Sequence, residues 1–143
     1  MYYVAKLTRE GRHWLVNFPD CPGCQTFGDS KHEAIEMAAD ALAGWLASIL
    51  KHGELPPAPK SREGRSMVAV PVPARLAAII TIRRRRARLR ITQRQLAERL
   101  GVSQQQVAKL EDPDTNKSLA SIEKAMRALG IRLEFLPEAV ART

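Results

Sequence analysis

Apolar positions along the chain change their period between the first thirty residues and the next twenty. Up to residue 29 they come in short runs broken by turn residues. Tyr3-Val4-Ala5-Lys6-Leu7 ends at Glu10-Gly11, a hairpin turn, and His13-Trp14-Leu15-Val16-Asn17-Phe18 alternates well enough for a second strand. Gln25-Thr26-Phe27 predicts a third, after a loop whose path is set by Pro19, Pro22 and Gly23. From Ser30 the spacing becomes helical. Ala34, Ala38, Ala41, Leu42, Trp45, Leu46 and Ile49 recur at three- and four-residue steps, so one face of a helix reaching about His52 packs on the strands. Ser30 and Glu33 form the capping box that opens it. Gly53 to Gly64 is a loop rich in proline and charge. Met67-Val68-Ala69-Val70 then reads as a largely buried strand, ended by Pro71 and Pro73, which have no N–H for a ladder. The first half is therefore β-β-β-α-β.

The second half is helical. Between Thr92 and Leu110 lie two hydroxyl-x-x-Gln capping boxes, Thr92 with Gln95 and Ser103 with Gln106. Gly101 stands between them, where a helix must end in a left-handed residue. This spells a helix of about eight residues, a short turn and a second short helix, wedged by Leu96, Ala97, Leu100, Val102, Val107 and Leu110. Asp112 to Lys117 is a loop, and Ser118 caps a further helix with Leu119, Ile122, Met126 and Leu129 on one face and Gly130 as its stop. Ile131-Arg132-Leu133-Glu134-Phe135-Leu136 alternates like a half-exposed strand, yet its own domain offers no neighbour. It is expected to pair with its copy in a second subunit, with Ile131, Leu133 and Phe135 at the dimer contact. Two domains follow: residues 1–73, including the proline-rich loop 53–64, and residues 74–143.

Charge separates these halves. The net charge of +8 divides unevenly, with seven Lys or Arg against eight Asp or Glu in residues 1–64 and sixteen against seven in residues 65–143. A polyanion is the expected partner of the second half alone. No apolar run approaches the length of a membrane-spanning helix and the N-terminus lacks a signal-peptide pattern, so a cytoplasmic protein without a membrane partner is expected.

The polar positions carry the chemistry. The second short helix opens Ser103-Gln104-Gln105-Gln106 and shows Lys109 one turn later. This could be an ordinary polar face of a helical bundle, but the Ala97–Gly101–Val107 spacing is that of helix-turn-helix DNA binders, and a Gln amide can pair in bidentate fashion with adenine in the major groove. Gln93, Arg94, Ser103, Gln104, Gln105, Gln106 and Lys109 are therefore assigned to DNA. The run Arg83-Arg84-Arg85-Arg86, with Arg88 and Arg90, cannot all face one way on a helix; some are expected to meet phosphate and the others to be solvated. Cys21 and Cys24 form a Cys-x-x-Cys pair, but zinc needs four ligands and only His13, His32 and His52 could add to it. A redox pair of the thioredoxin kind should open a helix, whereas here the chain runs on through Gln25-Thr26. Reduced structural cysteines are expected, with no metal and no cofactor.

Phe18-Pro19-Asp20, Pro22-Gly23-Cys24, Gly28-Asp29-Ser30 and Glu33-Ala34 resemble the N-terminal domain of HicB-type antitoxins. The stretch from Val70-Pro71-Val72-Pro73-Ala74 through Leu129-Gly130-Ile131-Arg132-Leu133 is similar to those HicB proteins that carry a C-terminal helix-turn-helix. The resemblance implies an α+β protein: a partial RNase H-like β-β-β-α-β domain that wraps a small HicA-type mRNA-cleaving toxin, then an all-α, phage-repressor-like domain that binds operator DNA and represses the toxin–antitoxin operon. The near-neutral first half would meet a basic RNA-cleaving surface, with Pro19, Asp20, Cys21, Pro22 and Asp29 as the contact. By resemblance to the phage-repressor-like families, Arg86 pairs with Glu111 as an internal brace, and Arg90 stands where those families often have glycine. Metal-dependent nucleases of the RNase H kind need several converging carboxylates, and the first two predicted strands contain Lys6 and Asn17 but no acid, so no enzyme is expected. The competing reading is a stand-alone repressor whose N-terminal domain senses a small molecule.

Overall fold

Tyr2–Glu10 forms β1, the long strand on which a sheet is built, and a left-handed Gly11 turns the chain into β2, His13–Asn17. β3, Gln25–Gly28, pairs with β2, while β4, Met67–Pro71, pairs with the other side of β1. The order is β3-β2-β1-β4 and every pairing is antiparallel. The register sets Tyr3, Ala5, Leu7, Val16, Val68 and Val70 on one face. α1, Lys31–Lys51, packs on that face with the stripe Ala34, Ala38, Leu42, Leu46 and Leu50. Gly28 is where sheet and helix approach most closely. A Cβ there would lie 2.4 Å from the Ala34 nitrogen, so no residue with a side chain fits. The computed structural model of the chain describes residues 1–137.

β4 departs from the expectation of a largely buried strand. It is an edge strand, and within Met67–Val70 only Val70 is fully buried. Its continuous apolar run reflects partial cover on both faces rather than a place in the middle of the sheet.

α2, Ala74–Leu89, is shared between two cores. Leu76, Ile79 and Ile80 pack into the first core with the sheet and α1. Ala78 and Ile82 belong to the second, with Ile91, Leu96, Ala97, Val107, Ala125, Met126 and Leu129. This second core joins α2 to α3, Gln93–Leu100, α4, Gln104–Leu110, and α5, Leu119–Ala128. Two of the three predicted capping boxes are complete: the Thr92 and Ser103 hydroxyls accept from the Gln95 and Gln106 N–H groups, and each Gln side chain accepts from its cap residue's N–H. The third is half made, because the Ser30 hydroxyl accepts from the Glu33 N–H but the Glu33 carboxylate accepts from the Asp29 N–H, one residue before the cap. Helices α2, α3 and α5 end in the same way, each with a left-handed residue and a six-to-one bond across it, from Ile91 to Arg86, from Val102 to Ala97 and from Ile131 to Met126. Two of the left-handed residues are Gly101 and Gly130; the third is Arg90.

The expected terminal strand at Ile131–Leu136 has no ladder in this single chain, because a strand needs a second backbone and none lies beside it among the described residues. Ile131 and Leu133 are half-buried against the chain's own second core, whereas Phe135 and Leu136 are 76% and 83% exposed. Leu133 is thus at least partly a core residue rather than purely a subunit contact.

Candidate nucleic-acid interface and the pinned loops of the first domain

Glu111 follows α4 and is fully buried. A carboxylate withdrawn from water must be paired, and this one is held from several sides. Arg86 grips it through two nitrogens, with Nε 2.8 Å from Oε2, and its remaining nitrogen donates to the Ile91 carbonyl at 2.8 Å. Gln93 Nε2 donates to Oε1 at 3.3 Å, and Arg83 Nε lies 3.8 Å from the same oxygen. The pair thus ties α2 to the end of α4 and to the turn before α3.

The rest of the arginine run is also anchored to the protein's own carbonyls, which corrects the expectation that part of it is simply solvated. Arg83 donates to the Leu50 carbonyl at 2.9 Å and to the Glu111 carbonyl at 2.7 Å, Arg84 to Pro56 at 3.1 Å, and Arg85 to Leu129 at 3.0 Å. The last turns of helices leave carbonyls without partners, and these arginines supply donors to three such ends, on α1, α4 and α5. Burial lowers the Arg83 pKa below its ordinary value, with Glu111 opposing the shift. Arg83 also ties α2 to the end of α1, and a 2.8 Å ion pair of Lys51 with Asp114 links α1 to the loop after α4, which Arg75 of α2 holds through the Pro113 carbonyl. Only Arg88 and Arg90 of the basic run stay fully at the surface.

The residues assigned to DNA divide into two groups. Gln104, Gln105 and Lys109 are exposed on α4, and among the described residues their side chains bond to nothing. Ser103 and Gln106 are engaged with one another in the capping box, and the Gln93 amide faces Glu111. Arg94 is exposed and lies 3.8 Å from Glu98 on the next turn. Beside α4 runs a cleft of about 250 Å³ with Leu100, Val102, Val107 and Leu110 as its floor and Asn116, Ser118 and Lys124 on its rim. The sequence reading gave Ser118 only its role as a cap and gave Asn116 and Lys124 none, since α5 and the loop before it were read for boundaries and core positions. The loop itself is fixed by Lys117, whose ammonium donates to the Asp112 and Thr115 carbonyls. Burial lowers its pKa, opposed by Asp112.

In the first domain the loop between β2 and β3 is closed by Phe18, Cys21 and Cys24, which bond to one another through their backbones. Cys21 and Cys24 are buried, and burial pushes their thiols up to about 12 and about 11. They are protonated packing groups. Cys21 lies in the core and cannot touch a partner, so it leaves the set proposed for toxin contact. Asp20 is largely engaged: its carboxylate accepts from Lys60 N, Ser61 N and Ser61 Oγ at 2.9, 2.7 and 3.0 Å, and these bonds lower its pKa, Ser61 N most of all. It thereby pins the proline-rich loop, which is also held by Tyr3 Oη on the Pro57 carbonyl at 2.6 Å. Trp45 Nε1 fixes Pro22 through its carbonyl at 3.2 Å. Pro19, Pro22 and Asp29 remain exposed, Asp29 with its carboxylate 2.9 Å from His13 Nδ1. Among the described residues no cluster of His, Cys, Asp or Glu could hold a metal ion, and no helix is long and apolar enough to cross a membrane.

Comparison with known families matches residues 2–95 to the HicB-like antitoxin of bacterial toxin–antitoxin systems and residues 82–136 to a helix-turn-helix family. The chain is 31% identical over 136 residues to Antitoxin HicB 2 of Photorhabdus laumondii, covering 95% of this chain and 96% of that one. It is 29% identical over 138 residues to Antitoxin HicB of Escherichia coli K12, covering 95% and 99%.

Proposed function

Because the chain belongs to the HicB-like antitoxin family and carries a helix-turn-helix DNA-binding domain, we propose that it neutralises a HicA-type mRNA-cleaving toxin and represses its own operon. The observation that carries the reading is the union, in one chain, of a HicB-like half with a helix-turn-helix whose Gln104, Gln105 and Lys109 are exposed. Gln104 and Gln105 read base edges, and Lys109, Arg94, Lys124 and Asn116 meet the phosphates on either side of them. Ser103, Gln106 and Gln93 set the angle at which α4 is presented. Toxin is held by the first domain, whose sheet order and single covering helix suit a partial RNase H-like fold, with Pro19, Pro22 and Asp29 at the contact. Two copies assemble through Ile131, Leu133 and the exposed Phe135, each terminal segment supplying the other's missing ladder partner.

The test uses the full chain. A fragment cut at Pro73 would strip Leu76, Ile79 and Ile80 from the first core, at about 1.5–3 kcal/mol for each buried side chain. The double variant Gln104→Ala/Gln105→Ala should still copurify with a small basic toxin encoded beside this gene and suppress its RNA cleavage, while losing the operator. A variant that loses both activities while remaining folded would sink the division of labour. Copurification with no such partner, together with an operator affinity that responds to small metabolites, would favour the ligand-sensing repressor.

A further inference from the structure

α2 contains six arginines and neither Asp nor Glu. Arg84, Arg85 and Arg88 share one side of it with Thr81, and together with Ile131 they line a concavity of about 230 Å³. Among the described residues no carboxylate lines this concavity and none of the three arginines is in an ion pair. Arg94 and Arg127, by contrast, each have a glutamate one turn away, Glu98 at 3.8 Å and Glu123 at 2.7 Å. Three like charges gathered without a counter-charge raise the local positive potential and favour an anion. Two of the three are also held in place, Arg84 by the Pro56 carbonyl and Arg85 by the Leu129 carbonyl. Arg84 also engages the Tyr3 hydroxyl, whereas the Arg85 bond uses one of its five N–H donors, so both forks keep donors to offer and little side-chain freedom remains to be lost on binding.

We propose that this concavity is a phosphate-binding site distinct from the recognition helix. Three guanidinium groups balance a ligand of charge −2 or −3, where a single carboxylate would offset one. Their paired N–H donors also match phosphate oxygens in bidentate fashion. The volume exceeds a lone phosphate, so a pyrophosphate or a phosphate ester fits, with Ile131 as an apolar wall. A free phosphorylated small molecule and a backbone phosphate of bound DNA present the same chemistry, and the measurements below separate them.

Calorimetric titration of the full chain with inorganic pyrophosphate at low salt should give binding that Arg88→Ala weakens by about tenfold, the size expected for losing a charge-assisted contact. Arg88 is exposed and, among the described residues, bonds to nothing through its side chain, so its variant should melt with the wild type. Arg85→Lys, which keeps the charge but loses the fork, should also weaken binding, whereas Lys109→Ala should not. If a DNA phosphate fills the site, Arg88→Ala will reduce the salt slope of operator binding by about 0.9 and pyrophosphate will compete with operator. If the source is a free ligand, the slope will be unchanged and both will bind together. The proposal is overturned if pyrophosphate fails to bind, or binds Arg88→Ala and Arg85→Lys as tightly as the wild type.

Discussion

Arg83–Arg86 and Gln104–Lys109 are two polar stretches on two helices of the same domain, and they face opposite ways. The arginines look like a DNA-binding run, yet all four bond to groups of their own chain. The glutamines look like an ordinary polar helix face, yet Gln104 and Gln105 stay at the surface with no structural task. What separates them is the supply of unmet acceptors. Helix ends and one buried carboxylate surround α2, and a long side chain with five donors satisfies them, whereas α4 offers its outer face to nothing in the fold. A charge run is therefore poor evidence of a binding face until the carbonyls within its reach are counted.

The largest effect should come from breaking the inward side. Glu111→Ala leaves Arg86 half-buried without its partner, and removal of one member of a buried pair typically costs about 3–5 kcal/mol. Urea unfolding should show the loss. Replacement of Arg86 and Glu111 together by apolar residues of similar volume should cost less than either single change. If Glu111→Ala unfolds like the wild type, the brace is not what holds α2, α3 and α4 together.

The outward side should behave in the contrary way. Gln104→Ala or Gln105→Ala should lose about 1–3 kcal/mol of operator binding and relax base preference, with stability unchanged within about 0.5 kcal/mol. Gln106→Ala should instead weaken the cap of α4, by about 1 kcal/mol of folding stability. Equal operator affinity for wild type, Gln104→Ala and Gln105→Ala in a gel-shift titration would show that α4 does not read bases.

Much of this was legible beforehand because it rests on local rules. Thr92, Gly101, Ser103 and Ser118 announce helix boundaries through bonds within three or four residues, and the boundaries fall at those positions. The destinations of Arg83, Arg84 and Arg85 were not legible, since their acceptors lie 28 to 44 residues away and depend on how α1, α4 and α5 come together. The same holds for Asp20, whose partners Lys60 and Ser61 sit in a loop with no periodic pattern. The sharing of α2 between two cores was also hidden, because its apolar positions show no single stripe.

The cysteines give a pH test of the first core. Their ordinary pKa is 9.0 and the folded values are about 12 and about 11, so the folded state holds their protons more tightly than the unfolded one. That stabilisation is complete below pH 9 and is lost as pH rises through the folded values. Stability should therefore fall between about pH 9 and 12, and less steeply in Cys21→Ala/Cys24→Ala. At neutral pH both thiols should resist alkylation in the native protein and react once it is unfolded. Rapid native labelling would place them at the surface, contrary to the packing seen here.

The smallest expected effect returns to the arginine run at its far end. Arg90 has φ of +56° and ends α2 in the left-handed conformation that Gly101 and Gly130 supply for α3 and α5. A residue with a Cβ in that conformation carries a strain of roughly 1–2 kcal/mol, against which glycine loses about 0.5–1 kcal/mol of extra backbone freedom on folding. Arg90→Gly should therefore stabilise the protein by about 0.5–1 kcal/mol, because the side chain is exposed and, among the described residues, its guanidinium bonds to nothing. The same substitution removes a surface cation from the domain that meets DNA. If Arg90 touches a phosphate, the gain in stability will come with weaker operator binding at every sequence and a shallower salt slope. A gain with unchanged binding would class Arg90 with the arginines that do not serve DNA. No gain in the urea midpoint would mean that the side chain contributes to the folded state what the backbone strain takes away.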